Sequence, residues 1–74
     1  MPLIELKIIE DTFSDEQKRE AIARLTDAMV AIKGEAIRPM IWVKIYEVKD
    51  GNWGVAGKPF TRADAAALVR GSKS

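Results

Sequence analysis

The chain has 74 residues, twelve basic and eleven acidic, for a net charge of +1, and it contains neither cysteine nor histidine. A chain of this length forms one small domain, residues 1–74, which buries only about 60% of the surface that its unfolded form exposes. The missing residue types exclude disulfides, thiolate chemistry and the commonest zinc ligand, so self-association is the support that remains for so small a core.

The charge and hydropathy also limit the partners. The near-neutral balance gives no reason to expect nucleic acid as a partner. No apolar run approaches the ~20 residues of a membrane span, and the start of the chain, MPLIELK, lacks the basic-then-apolar layout of a secretory signal. We therefore expect a cytoplasmic protein with no membrane partner.

The first two elements are a strand and a long helix. Residues 2–9, PLIELKII, are rich in Leu and Ile on both faces, which is typical of a strand covered on both sides. Ser14 and Gln17 have capping-box spacing, and they predict a helix from Ser14 to Lys33 that ends at Gly34. Its apolar residues recur at helical spacing, at Ile22, Leu25, Met29 and Ile32.

A second strand follows at Ile41–Val48, after a connector. Alternation places Ile41, Val43 and Ile45 on the face toward the helix, and Trp42, Lys44 and Tyr46 on the opposite face. Strand, long helix and strand make a β-α-β unit, whose two strands lie parallel. The sequence therefore predicts an α+β fold built on this unit.

The rest of the chain is rich in turn residues. Asp50-Gly51 predicts a tight turn, and the glycines around Val55 predict a short hairpin at residues 53–57. Thr61, with Asp64 three residues later, predicts the start of a short terminal helix. We expect the tail, residues 71–74, to be frayed.

The candidate for chemistry is Pro2. After removal of the initiator Met, which a small second residue permits, Pro2 becomes a secondary amine with a pKa near the α-amino range of ~8. Burial or a nearby cation favours its neutral form, which is a base able to take a proton from a carbon next to a carbonyl. The chain has no His or Cys for that role.

The layout resembles the tautomerase superfamily, specifically its small 4-oxalocrotonate tautomerase-like members. The likeness covers residues 2–57: the proline-initiated strand, the helix start SDEQK, the second strand ending in Glu47, and the hairpin GNWGVAG. The resemblance implies a homo-oligomer, a hexamer of paired subunits, with active sites between subunits. It also implies a cofactor-free isomerase with Pro2 as acid and base and Trp53 as the hydrophobic wall beside it.

Two positions depart from the family pattern. Members use an arginine in the loop before the helix and another on the second strand to hold substrate carboxylates. Here the loop reads EDTF at residues 10–13, and the strand position holds Trp42. Lys44 lies on the same strand face as Trp42, so both are candidates to bind substrate, with Lys44 holding a carboxylate or an enolate oxygen. The alternatives are a solvated charge or edge gatekeeper for Lys44 and interface packing for Trp42.

The leading hypothesis is thus a proline-dependent tautomerase acting on a small 2-oxo acid or enol, and the assembly remains open among dimer, trimer and hexamer. A second hypothesis is a relative that hydrates or dehalogenates an unsaturated acid, for which Glu5 or Glu47 would have to activate water. A third is an assembly that keeps the fold and binds a small molecule or protein without turnover. Arg38 is a weaker candidate, which we interpret as a surface cation. No metal site is expected.

Overall fold

The computed structural model describes residues 2–71, and its elements follow the predicted order. They are strand β1 at Leu3–Ile9, helix α1 at Asp15–Lys33, a 3-10 helix at Glu35–Met40, strand β2 at Trp42–Val48, strands β3 at Gly54–Val55 and β4 at Lys58–Pro59, and helix α2 at Arg62–Gly71. The predicted α+β class is confirmed. The predicted frayed tail lies outside the described residues, apart from Gly71 at the end of α2.

The central feature is a two-stranded parallel sheet of β1 and β2, joined through α1. Leu3 lies opposite Trp42 at one end of the register, and Ile9 lies opposite Val48 at the other. A backbone hydrogen bond continues the ladder beyond the last pair, from Glu10 N–H to the Val48 carbonyl at 2.8 Å. The parallel pairing confirms the predicted β-α-β unit.

Helix α1 begins and ends where its capping residues predict. The Ser14 hydroxyl accepts a hydrogen bond from the Gln17 backbone N–H at 3.0 Å, and the Gln17 side chain accepts one from the Ser14 N–H at 2.9 Å. At the other end, Gly34 has φ 103° and donates its N–H to the Val30 carbonyl at 2.7 Å. Both ends are therefore satisfied locally, which explains why the sequence identifies them.

The face of α1 that packs on the sheet differs from the predicted apolar stripe. Leu25 and Met29 are partly buried as expected, whereas Ile22 is exposed and Ile32 is 74% exposed. Lys18 lies on the covered side instead, within reach of β2. Two strands make a narrow sheet, and a narrow sheet covers only part of a 19-residue helix.

The hairpin lies slightly later in the chain than predicted, with paired strands at 54–55 and 58–59 rather than within 53–57. Ala56 and Gly57 form its two-residue turn, and both have positive φ, 54° and 79°. Positive φ at both positions is the type I′ geometry that suits the twist of a hairpin. The predicted Asp50-Gly51 turn comes before it, closed by a hydrogen bond from Asn52 N–H to the Lys49 carbonyl at 2.9 Å.

Helix α2 is attached through polar groups at its first turn. Thr61 and Asp64 cap it reciprocally, as predicted, with N–H to side-chain oxygen distances of 3.0 and 3.2 Å. The Arg62 N–H also donates to the Asp50 carboxylate at 2.9 Å, and the Arg62 guanidinium donates to Asp11 at 2.5 Å. These contacts join α2 to the ends of β1 and β2.

The single chain has little core. Among residues 2–71, Ile8 and Ile9 are the apolar side chains that are buried, each 6% exposed. The sheet face away from α1 is open, so that Leu3 and Trp42 are each 51% exposed. The radius of gyration is 15.2 Å, against about 11 Å for a compact domain of this length. Much of the apolar surface is thus left for contacts outside the chain.

Candidate active site

Pro2 stands at the start of the parallel sheet. Its carbonyl accepts a hydrogen bond from the Trp42 backbone N–H at 3.0 Å, and the residue is partly buried. β1 begins at the next residue, Leu3. The sheet therefore holds Pro2 through its carbonyl group, while its nitrogen, at the other end of the residue, takes no part in the ladder.

Trp42 and Lys44 lie together on the open face of β2, as alternation predicts. The Lys44 ammonium lies 5.9 Å from the centroid of the Trp42 ring, within the range of a cation–π contact. Among residues 2–71, no carboxylate lies within ion-pair distance of Lys44. This cation is therefore held by an aromatic face and not neutralised by an acid, so it remains able to pair with an anion.

A second aromatic–charge group lies beside it on the same face. The Tyr46 hydroxyl donates to the Glu5 carboxylate at 3.0 Å, and the Lys7 ammonium lies 5.8 Å from the Tyr46 ring centroid. The hydrogen bond to Glu5 raises the pKa of Tyr46, because the carboxylate stabilises the protonated phenol. The sequence analysis did not identify this group, although alternation on both strands together with the register places all three residues on one face.

The two glutamates proposed as water-activating residues are on opposite sides of the sheet. Glu5 lies on the open face, opposite Lys44 in the register. Glu47 lies on the helix side, where its carboxylate accepts a hydrogen bond from Lys18 at 3.2 Å. That hydrogen bond, followed by the one to Asp15, raises the pKa of Lys18. Glu5 is therefore the acid that shares a face with the candidate binding residues.

Arg38 lies in the 3-10 helix, in a cluster of surface charges. It pairs with Glu35 and, at 2.9 Å, with Asp27 of α1. Hydrogen bonding to Arg38 lowers the pKa of the Glu35 carboxyl, and the pKa of Arg38 is raised in turn. These pairs attach the 3-10 helix to α1 and agree with the interpretation of Arg38 as a surface cation.

Trp53 is partly buried in the connection between β2 and β3, and its carbonyl accepts the Phe60 N–H at 2.6 Å. In the part of the chain that the structure describes, no hydrogen bond or ring contact joins Trp53 to Pro2. The structure thus brings Trp42 and Lys44 together and places Pro2 at the adjoining end of the sheet. It does not unite Trp53 with them inside one chain.

Two surface clefts flank the loop after β1. One, of about 350 Å³, is lined by α1 and the loop, including Phe13 and Arg24. The other, of about 460 Å³, lies between the loop and α2. Neither is lined by Pro2, Trp42, Lys44 or Trp53.

Within residues 2–71 no three acidic side chains converge as a metal site would require. No helix within residues 2–71 combines the length and the apolarity that a membrane crossing needs.

Comparisons with known solved structures place the fold among small tautomerase-like proteins. The chain superimposes on a crystal structure of apo unfused 4-OT with a TM-score of 0.71 and 27% identity, covering 89% of this chain and 98% of that one. It superimposes on DmpI from Helicobacter pylori with a TM-score of 0.69 and 30% identity, covering 78% and 94%.

Sequence comparisons agree. A protein of Ralstonia nicotianae named as a probable tautomerase is 44% identical over 63 residues, 85% of this chain and 87% of that protein. One of Dickeya dadantii, also named as a probable tautomerase, is 34% identical over 61 residues, 82% of this chain and 90% of that protein. The family model described as tautomerase enzyme matches residues 2–63. The chain therefore belongs to the tautomerase family, as a 4-oxalocrotonate tautomerase-like member.

Proposed function

We propose that this tautomerase moves a proton within a small 2-oxo acid or its enol, with the Pro2 nitrogen as acid and base after Met1 is removed. The observation that carries the proposal is the position of Pro2, partly buried and anchored by its carbonyl to Trp42 at the first rung of the sheet. The chain holds no His or Cys that would compete for the role. No cofactor is needed, because the reaction only relocates a proton.

The chemistry follows from a neutral secondary amine. The Pro2 nitrogen takes a proton from the carbon next to the carbonyl, or from the enol oxygen, and returns it to the other atom of the conjugated system. Negative charge develops on the carbonyl oxygen during the transfer. Lys44, a cation without a carboxylate partner in residues 2–71, stabilises that oxygen, and its field lowers the pKa of a protonated amine nearby.

The complete site requires a second copy of the chain. Leu3 and Trp42 expose apolar surface on the open sheet face, and parallel strands are ordinarily covered on both faces. We place Trp53 of a neighbouring copy beside Pro2 as the apolar wall, since no hydrogen bond or ring contact joins Trp53 to Pro2 within residues 2–71 of one chain. The homo-oligomer is a dimer, trimer or hexamer, and its substrate pocket lies between subunits.

The test combines intact-mass measurement with an enol assay. Protein that lacks Met1 is expected to ketonise phenylenolpyruvate, and Pro2→Ala is expected to lose about 10²-fold or more of the rate. Protein that retains Met1 has an amide nitrogen at Pro2 and is expected to be inactive. Pro39→Ala, which changes a proline in the 3-10 helix, is the matched control. Equal rates for the Pro2→Ala variant and the parent would refute the proposal.

The role of Lys44 is tested separately. Lys44→Ala is expected to reduce kcat/KM by about tenfold or more, because it removes a charge-assisted contact. Lys58→Ala, in the hairpin, is expected to leave the rate unchanged. An unchanged rate and KM in Lys44→Ala would remove the lysine from the site. If the protein instead adds water to an unsaturated acid, and Glu5→Gln loses that activity, the hydratase hypothesis is supported. If the protein binds a small molecule without any turnover, the non-catalytic hypothesis is supported.

A further inference from the structure

The cleft between α2 and the loop after β1 is built from one face of α2. The α2 residues that line it are spaced at i, i+3, i+4, i+7 and i+8, and they are Arg62, Ala65, Ala66, Val69 and Arg70. Asp11 and Thr12 of the loop form the opposite wall. At about 460 Å³ the cleft has the size of a small-molecule site. Residues 64–71 of α2 lie beyond the part of the chain that the family model matches.

The two arginines of the cleft differ in what they can bind. Arg62 is already paired, with Asp11 at 2.5 Å and with Asp50 at 3.4 Å. Arg70, eight residues later, has no carboxylate within ion-pair distance among residues 2–71. An eight-residue step along a helix is about 12 Å, which exceeds the screening length of ~10 Å in 0.1 M salt. The Asp11 carboxylate is paired at the Arg62 end of the cleft, about two helical turns along α2 from Arg70.

The floor between the two arginines is apolar. Ala65, Ala66 and Val69 supply methyl groups, and the Thr12 hydroxyl already donates to the Ile9 carbonyl at 2.7 Å. Such a surface can bind the apolar part of a ligand, and Arg70 at its end is a cation without a carboxylate partner among residues 2–71. A guanidinium binds a carboxylate through two parallel hydrogen bonds.

From these observations we propose that the α2 cleft binds a small monocarboxylic acid with an apolar body, its carboxylate on Arg70 and its body over the floor. A dicarboxylate is disfavoured, because the Arg62 end carries Asp11. The cleft is separate from Pro2 within one chain, since the seven residues of β1 span about 23 Å. The proposal does not depend on Pro2 chemistry.

Nuclear magnetic resonance titration with phenylacetate tests the proposal. The methyl signals of Ala65, Ala66 and Val69 are expected to shift saturably, and phenylacetamide, which has the same shape without the charge, is expected to bind at least about tenfold more weakly. Arg70→Gln should weaken phenylacetate binding by a similar factor. Arg19→Gln, an exposed arginine of α1 that lines neither cleft, is the control and should bind as the parent does.

Three results would overturn the proposal: no saturable shift in the parent protein, equal affinity in Arg70→Gln, or shifts confined to residues around Pro2 and Trp53. The last result would place the acid in the proposed active site instead. Salt gives a check that needs no variant. Raising the salt from about 0.05 to 0.5 M should weaken binding several-fold if Arg70 carries it, and binding that is insensitive to salt would contradict the assignment.

Discussion

The β-α-β unit and the C-terminal region of this tautomerase are held in place by different forces. In the unit, β1 carries the buried side chains of Ile8 and Ile9 and pairs with β2 through a continuous ladder of backbone hydrogen bonds. In the C-terminal region, α2 is attached at its first turn by Asp50, Arg62 and Asp11, while Leu68 and Val69 further along are largely exposed.

The difference shows how the chain divides stability between apolar and polar contacts. The unit depends on burial, which is non-directional and scales with the apolar area removed from water. The α2 region depends on a few charge-assisted hydrogen bonds of defined geometry. A single substitution is therefore expected to affect either the whole molecule or one helix, according to the region in which it falls.

The largest effect is expected from the core of the unit. Ile8→Ala removes a buried side chain and should lower the free energy of unfolding by about 2–5 kcal/mol, because it leaves a cavity beside the sheet. Urea denaturation followed by circular dichroism measures this change. Ile32→Ala, at the exposed end of α1, is the matched control and should cost less than about 0.5 kcal/mol. Equal losses of unfolding free energy in the two variants would show that Ile8 does not belong to the core.

A smaller and local effect is expected at the attachment of α2. Asp50→Ala removes the acceptor for the Arg62 N–H and guanidinium, so the free energy of local opening of α2 should fall by about 1–3 kcal/mol. Amide hydrogen exchange should become faster in residues 62–71 while β1 and β2 keep their protection. Asp50→Asn, which keeps an acceptor oxygen, should lose less. Faster exchange throughout the sheet would contradict the division between the regions.

The cap of α1 provides an intermediate case within the unit. Ser14→Ala removes the hydroxyl that accepts the Gln17 N–H and should cost about 1 kcal/mol of unfolding free energy. Ser14→Gly should lower the free energy of unfolding by only a few tenths of a kcal/mol. Thermal unfolding of the two variants gives the comparison. A Ser14→Ala variant as stable as the parent would show that the capping hydrogen bond does not stabilise the start of the helix.

The smallest effect is expected from the pairing of Glu35 with Arg38. Because this pairing lowers the pKa of Glu35 in the folded state, its contribution to stability is present above the ordinary carboxyl range and is lost as the pH falls through the lowered value. A carboxyl NMR titration should show the lowered pKa in the parent and an ordinary one in Arg38→Gln. Identical titrations in the two proteins would exclude Arg38 as the cause.

The sequence predicts the β-α-β unit because its signals are local. Period-2 alternation in β2 and the Ser14–Gln17 spacing each involve residues that are close along the chain. The attachment of α2 was not predicted, since Arg62 reaches Asp11 across 51 positions and no local pattern encodes that meeting. The exposure of Ile22 and Ile32 was missed for a related reason, because periodicity gives the apolar stripe but not the width of the sheet that covers it.

The same distinction between local and long-range signals applies to the residues of the candidate site. Pro2 is a candidate because of its chemistry, and Trp42 and Lys44 are candidates because alternation places them on one face of β2. The Glu5–Tyr46 hydrogen bond needed the register of two strands, which the sequence alone does not supply. The cleft on α2 does have a signal in the sequence, the spacing of Arg62 and Arg70 on either side of small apolar residues, and that signal was overlooked.

The first rung of the sheet has a practical consequence for preparing the protein. The Trp42 N–H bonds to the carbonyl of Pro2, and this contact leaves the proline nitrogen uninvolved. The proposed mechanism needs that nitrogen as a free amine, and a purification tag or a leftover protease-site residue fused ahead of Pro2 would leave the ladder intact while keeping the nitrogen an amide. Such a sample is expected to look well folded and still fail every enol assay, so affinity handles belong at the carboxyl end.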